Sequence, residues 1–213
     1  MAETTANLST VLPLITPWLA LCEPPAIQQT LQVVARRFCQ DTGIWCMWLT
    51  TTLTANVDSY DFQALLDAEY LNCSIARILQ VMQDETVFYQ SGWQMDNAGL
   101  LVLVNGVGSL PTTPPDLSAL CVVQPGLNCT VYPAWLLNEW AEVIAAGTLA
   151  DLKRRTKVPF SDPEGAVEQG RIYQYGVGRA GVQWQTQRKA NTDLKLQDMT
   201  LGSPTTLGEF HRA

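Results

Sequence analysis

A helical stripe of apolar residues is the first clear pattern in the chain. Its members lie three or four residues apart: Ile27, Leu31, Val34 and Phe38. This spacing places them on one face of a helix. Pro24 and Pro25 suit a first helical turn, and Gly43 is a typical residue at a helix end. The sequence therefore predicts a helix that starts at the two prolines and ends at the glycine.

The first 22 residues have a different pattern. After a polar start, residues 11–22 read VLPLITPWLALC, an apolar run that Pro13 and Pro17 interrupt. We predict an extended N-terminal arm over residues 1–22 that ends in a short apolar anchor. The run is too short for a membrane span and has no preceding positive charge, unlike a signal peptide. We expect a soluble, cytosolic protein.

Strand-like residues dominate the middle of the chain. The run IWCMWLTTTL at residues 44–53 is rich in aromatic and β-branched residues and predicts a strand. Further strand-like runs follow at residues 76–83, 86–90 and 100–105. Residues 120–124 and 128–132 are predicted to pair as a last hairpin.

Helical spacing returns in the last third. Residues 134–156 fit one long amphipathic helix. Ser161 and Glu164 fit a capping box that starts a second helix, ending near residue 190. That second helix contains five glycines, and each glycine costs a helix about 1 kcal/mol. It therefore needs close packing against a neighbouring helix or subunit.

Together these elements predict an α+β fold with a helical bundle body, an inserted β-rich segment and an extended C-terminal tail. The body comprises residues 23–53 and 133–190 and includes one strand. The β-rich insertion covers residues 54–132. Residues 191–213 form a tail that lacks its own core.

The charged residues are unevenly distributed. The net charge is −7, yet residues 1–150 hold three arginines against thirteen acidic residues, and residues 151–213 hold ten basic against seven acidic residues. This balance excludes a uniformly basic nucleic-acid binder. The basic cluster at residues 153–157 ends a predicted helix, where it complements the helix dipole. A contact with phosphate is the less favoured alternative.

The composition also excludes several kinds of catalysis. The chain has a single histidine, His211, so Ser–His or Cys–His catalysis and zinc sites with several histidines are disfavoured. Six cysteines without a C-x-x-C pair are interpreted as reduced, buried thiols. Carboxylate pairs such as Asp58 with Asp61 are interpreted as solvated surface. We predict no catalytic, cofactor-binding or metal-binding residues, and a small cytosolic carboxylate-dependent hydrolase is the remote alternative.

Some of the seven tryptophans lie in segments predicted to fold weakly. Trp18 lies in the predicted arm, and Trp184 lies in the glycine-rich helix. Tryptophan is enriched at protein interfaces. These positions therefore indicate surfaces that other protein chains complete.

Several segments resemble head-to-tail joining proteins of tailed bacteriophages, which are also called adaptor or connector proteins. Two of them are VLPLITPWLALCEPPA at residues 11–26 and ARRFCQDTGIW at residues 35–45. The others are WAEVIAAGTLADLKRR at residues 140–155, PFSDP at residues 159–163 and RKAN at residues 188–191. The resemblance covers most of residues 11–190, and the β-rich middle diverges most from the family.

This resemblance implies a structural virion protein. Such proteins form a ring of about twelve copies beneath the portal in the virion neck, assembled in the host cytoplasm. The β segment would face tail or nozzle proteins, and DNA would pass through the channel without specific binding and without any membrane contact. A neck stopper or a tail-terminator ring is the alternative within virion proteins.

Two sets of residues follow from this implied role. The expected portal-binding residues are Trp184, Leu194, Leu196, Met199, Leu201 and Phe210. The expected interface between ring subunits contains Trp18, Trp140, Gly176 and Gly178.

Overall fold

The computed structural model describes residues 4–54, 56–83, 86–88, 93–95, 100–103 and 115–201. For residues 86–88, 95 and 187–201 it describes the backbone alone. Within these residues the fold is α+β, as predicted.

The N-terminal segment is folded against the rest of the chain, so the predicted extended arm is wrong. Strand β1 (Thr5–Asn7) leads through a 3-10 turn (Leu8–Val11) to the short helix α1 (Leu12–Ile15) and a second 3-10 turn (Thr16–Trp18). The inward-facing side chains recur every four residues and are buried: Val11, Ile15 and Leu19. The two prolines lie in first turns, where a helix tolerates them, rather than breaking the segment.

The next two elements match the sequence prediction. Helix α2 (Pro24–Thr42) buries the expected apolar stripe, and Gly43 ends it in the left-handed conformation with φ 64°. Strand β2 (Cys46–Thr52) follows. Trp45, just before it, is 2% exposed.

A short helix was missed in the β-rich middle. After strand β3 (Ser59–Tyr60), helix α3 (Phe62–Glu69) forms because the Asp61 side chain caps it, accepting a hydrogen bond from the Ala64 amide (3.0 Å). Phe62 and Leu66 lie one turn apart and are buried. Helix α3 packs against the sheet that follows.

The remaining strands of the described residues complete three antiparallel sheets with β1, β2 and β3. They are β4 (Cys73–Gln83), β5 (Thr86–Phe88), β6 (Trp93–Met95), β7 (Leu101–Leu103), β8 (Asp116–Pro125) and β9 (Val131–Pro133). The largest sheet has the order β2-β8-β4-β5, a second has the order β3-β7-β6, and β1 pairs with β9. The predicted hairpin of residues 120–124 with 128–132 is therefore wrong, because β8 pairs with β2 and β4 instead.

The largest sheet crosses the predicted boundary between the helical body and the β-rich insertion. Strand β2 belongs to the predicted body, yet all of it pairs with β8 of the predicted insertion, from Cys46 opposite Val122 to Thr52 opposite Asp116. Helix α2 also packs on β8. The helices and the main sheet therefore share one hydrophobic core.

Two helices complete the fold. Helix α4 (Ala134–Lys153) lies at its centre, with every residue from Ile144 to Ala150 buried. Helix α5 (Pro163–Leu201) packs along it. The capping residue of α5 is Asp162, which accepts a hydrogen bond from the Gly165 amide (2.9 Å), rather than the predicted Ser161.

The C-terminal tail also differs from the prediction. The backbone remains helical to Leu201, so residues 191–201 continue α5 instead of forming an extended tail. Residues 202–213 lie outside the described residues.

Candidate assembly surfaces

Two of the predicted ring-interface residues are buried within the subunit, so their assignment to the ring interface is wrong. Trp140 is 0% exposed, with its ring 5.6 Å from that of Phe38 and the Arg179 guanidinium 4.7 Å from its centroid. Gly176 is buried where α5 crosses Val143 of α4, and a Cβ there would overlap the valine. The absence of a side chain lets the two helices approach closely.

The other two predicted ring-interface residues are accessible. Trp18 is 68% exposed, and the Lys153 ammonium lies 5.8 Å from its ring centroid. Gly178 is exposed, and a Cβ there would have open space around it. These two positions stay predictions for a contact between copies.

The predicted portal-binding residues are only partly described. Trp184 is half-buried and packs against the core, with its Nε1 3.5 Å from where a Cβ on Gly43 would lie. Four others occupy the helical backbone of α5, with side chains outside the described residues: Leu194, Leu196, Met199 and Leu201. Phe210 lies outside the described residues altogether.

Helix α5 carries apolar side chains on two different faces. Ala166, Tyr173 and Ala180 recur every seven residues and face the core. The exposed side chains of the outer face are Val167 (57%), Ile172 (42%), Tyr175 (75%) and Val182 (65%). Gly178 lies between them in the sequence. We call these five residues the outer α5 face. A helix within a solvated monomer ordinarily presents polar residues on this side.

A second exposed apolar surface lies on the N-terminal segment. Leu14, Trp18 and Leu21 are 40%, 68% and 70% exposed, and we call these three the N-terminal patch. Helix α1 packs on α4, as α5 does. The chain thus presents two different apolar surfaces on elements that surround the same central helix.

A cleft of about 400 Å³ between α2, α4 and α5 adjoins the outer α5 face, since Val167 lines both. Three arginines (Arg37, Arg154 and Arg171) and two aspartates (Asp41 and Asp151) line it. Arg37 pairs with Asp151 at 2.8 Å. The cleft therefore carries an excess of positive charge next to apolar surface.

A buried tyrosine forms one wall of this cleft. Tyr173 is 5% exposed, and the Arg37 guanidinium carbon lies 5.4 Å from its ring centroid. Burial raises the pKa of the Tyr173 hydroxyl, and Arg37 opposes part of that shift. Tyr173 stays neutral at physiological pH, so it adds no negative charge to the cleft.

The basic cluster at residues 153–157 has contacts within the chain. Lys153 Nζ pairs with Asp162 (2.9 Å), and Arg155 donates to the Thr30 hydroxyl (2.9 Å). The Lys153 interaction and the bond from Gly165 hold the pKa of the Asp162 carboxyl below its ordinary value. These contacts link α4, α5 and α2, and so favour a structural role over phosphate binding.

The carboxylates that the structure describes in the β-rich middle do not converge on a cleft, and Asp84 and Glu85 lie outside the described residues. Asp61 caps α3, and Asp67 accepts a hydrogen bond from Gln63 (2.8 Å). Asp58, Asp61, Asp67 and Glu69 are all exposed. Across the part of the chain that the structure describes, no three His, Cys, Asp or Glu side chains are grouped so as to hold a metal ion.

The packing register shows where α5 leaves α4. Gly165 lies beside Lys153, Gly176 beside Val143, and Gln183 donates to Glu139 (2.8 Å). If this antiparallel register is continued, the first residue of α4 lies opposite about residue 187 of α5. Residues 188–201 have no residue of α4 opposite them, a length of about 20 Å at 1.5 Å per residue.

Comparison with known proteins adds no family assignment. The chain matches no protein-family model, and no curated protein sequence matches it. Among the described helices, none is both long enough and apolar enough to cross a membrane.

Proposed function

We propose that this protein is a structural subunit of the head-to-tail adaptor ring of a tailed bacteriophage. About twelve copies would form a closed ring that joins the portal to the tail and surrounds the DNA channel. The proposal rests on the segments that resemble this family and on the surfaces described above. The observation that carries it is the outer α5 face, where four apolar side chains are exposed among charged residues such as Glu168 and Arg171.

A closed ring needs two different surfaces on each subunit, because each copy contacts its two neighbours in a head-to-tail manner. The outer α5 face and the N-terminal patch meet this requirement. Tyr175 and Trp18 are the most exposed aromatic residues of the two surfaces. Aromatic residues of this kind contribute most strongly when buried at the centre of an interface.

Charge can set the orientation of neighbouring copies. The arginine-lined cleft adjoins the outer α5 face, while residues 1–150 carry three arginines against thirteen acidic residues. A basic cleft of one copy and an acidic surface of the next attract each other and disfavour wrong registers. The same acidic excess suits a channel wall that does not bind passing DNA.

The end of α5 is the proposed portal-binding segment. Past Trp184, the helix continues beyond the last residue of α4 that faces it and carries Leu194, Leu196, Met199 and Leu201. A helix segment that extends past its packing partner can dock its apolar residues on another protein. Residues 202–213, including Phe210, belong to the same proposed segment.

Portal binding by C-terminal variants tests this function. Deleting residues 191–213 should abolish binding to the portal protein of the same genome and leave the melting temperature unchanged, since the packing register places residues 191–201 past the end of α4. Leu196→Asp should weaken binding strongly, whereas the neighbouring Gln197→Asp should have little effect. Undiminished binding by the truncated chain would refute the proposal. Binding to tail-tube or neck proteins instead of the portal would favour a stopper or a tail terminator.

A further inference from the structure

Two buried cysteines lie side by side at the base of the main sheet. Cys73 is the first residue of β4 and is 5% exposed, and Cys129 lies between β8 and β9 and is 1% exposed. Their Sγ atoms are 3.3 Å apart. Neither residue has a role in the surfaces described above.

The backbone holds this pair in place from both sides. Cys73 is paired with Pro125 at the end of β8. Immediately after that pair, the Gly126 amide donates to the Asn72 carbonyl (2.8 Å) and the Cys129 amide donates to the Gly126 carbonyl (3.0 Å). The turn thereby returns Cys129 to the start of β4. A Cβ on Gly126 would clash with the Asn72 carbonyl, which explains why glycine occupies the turn.

We propose that Cys73 and Cys129 form a reversible disulfide when the protein passes from reducing to oxidising surroundings. A disulfide bond is about 2.05 Å long, so the two sulfur atoms need to approach by about 1.2 Å. Rotation of the two side chains is the movement that would have to close this distance. In a reducing cytosol the pair remains two thiols.

The reaction balances with a small disulfide such as oxidised glutathione. One protein thiolate attacks a sulfur of oxidised glutathione. This step forms a mixed disulfide between the protein and glutathione and releases the first glutathione thiolate. The second protein thiol, on losing its proton, attacks the protein sulfur and releases the second glutathione. The protein loses two protons and two electrons, and the oxidant becomes two glutathione thiols.

The environment of the pair favours Cys129 as the attacking thiolate. The hydrogen bond from Cys73 holds the pKa of Cys129 below its ordinary value. That same hydrogen bond, together with burial, raises the pKa of Cys73. The two thiols are therefore not equivalent in the exchange.

The bond would join the two ends of a long segment. It would link the start of β4 to the turn after β8, so the strands and loops between residues 73 and 129 would be closed into one covalent loop. Such a link stabilises the fold chiefly by restricting the unfolded chain. The effect would stabilise a particle after it leaves the cell, without altering the surfaces that assemble inside it.

A third thiol lies in the same buried region and is the competing partner. Cys39 of α2 is 0% exposed, and its pKa is raised by burial and by nearby Cys129. A Cys39–Cys129 bond would link α2 to the turn instead. The test must therefore distinguish Cys73 from Cys39 as the partner.

The experiment uses the full chain in buffers with defined ratios of reduced to oxidised glutathione. Buried thiols can react slowly in a folded protein, so two sets of samples are prepared. One set is incubated in the folded state, and the other is refolded from the reduced, unfolded state. Non-reducing peptide mapping follows. Trypsin alone leaves Cys39 and Cys73 in one peptide, residues 38–77, so chymotrypsin is added to separate them.

We expect a peptide pair joined through Cys73 and Cys129, and a melting temperature higher by roughly ten degrees in the oxidised protein. Cys73→Ala and Cys129→Ala should abolish this gain, whereas Cys39→Ala should retain it. The wild-type mapping decides the question even where a variant folds poorly. Thiols that remain free at every glutathione ratio, or a bond through Cys39, would overturn the proposal.

Discussion

Val182→Asp tests the outer α5 face as a contact between copies. Val182 is 65% exposed, and full burial of a valine contributes about 1.5–3 kcal/mol. An aspartate would lose about 1–2 kcal/mol of that interface burial and would add the cost of removing a carboxylate from water. The expected loss is about 3 kcal/mol per contact, or roughly a hundredfold in the association constant.

The isolated subunit should tolerate this change. Valine and aspartate have similar helix propensities, and the position is solvated in the monomer, so the free energy of unfolding should change by less than about 0.5 kcal/mol. The matched control is Val33→Asp, which introduces the same charge at a 43% exposed valine of α2, outside the outer α5 face.

Sedimentation velocity over a concentration series, with and without the portal protein, measures the effect. Val182→Asp should remain monomeric at concentrations where the wild type and Val33→Asp assemble. If Val182→Asp assembles like the wild type, or if both variants fail equally, α5 does not form the contact between copies.

Three further outcomes follow from the packing. Gly176→Val should lower the free energy of unfolding by about 1–3 kcal/mol, because its side chain would overlap Val143; an unchanged urea midpoint would contradict the close α4–α5 approach. Trp18→Ser should weaken assembly while the melting temperature shifts by only a few degrees, and a large loss of stability would reassign Trp18 to the core. The pKa of Asp162 is depressed below its ordinary value of 3.8, so its stabilising contact with Lys153 is present at neutral pH. That contribution is lost as the pH falls below 3.8 and through the depressed pKa. The melting temperature of Asp162→Asn should therefore lie below that of the wild type at neutral pH and approach it as the pH falls below 3.8, and a constant difference would argue against the ion pair.

Local periodicity was sufficient to predict some of the fold. The stripe of α2 and its glycine end are local patterns, and the structure contains both. The run at residues 44–53 likewise contains β2. These elements depend on neighbours along the chain, which a single sequence displays directly.

Non-local packing explains what the sequence did not reveal. The partners of β8 lie about 70 and 40 residues before it in the chain, so no local pattern could identify them. The short helix α3 has only one turn of buried residues, but the sequence contained a signal in Asp61, which precedes the apolar pair Phe62 and Leu66. The proline-interrupted N-terminal run concealed a four-residue repeat of buried side chains.

Non-local packing also decides which of the predicted ring-interface residues are exposed. Trp140 lies four residues after Leu136 and four residues before Ile144, on one apolar stripe of α4. That pattern could have assigned Trp140 to the core. Gly176 and Gly178 are indistinguishable in sequence, since only the position of Val143 gives one of them a packing role.

The mass of the assembled protein is the most direct measure of whether the subunits form a ring. Native mass spectrometry of the full chain, alone and with the portal protein of the same genome, gives the number of copies of the 23.5 kDa subunit. We expect a single closed species of about twelve copies bound to the portal. A protein that remains monomeric or dimeric under every condition, with the portal present, would contradict it.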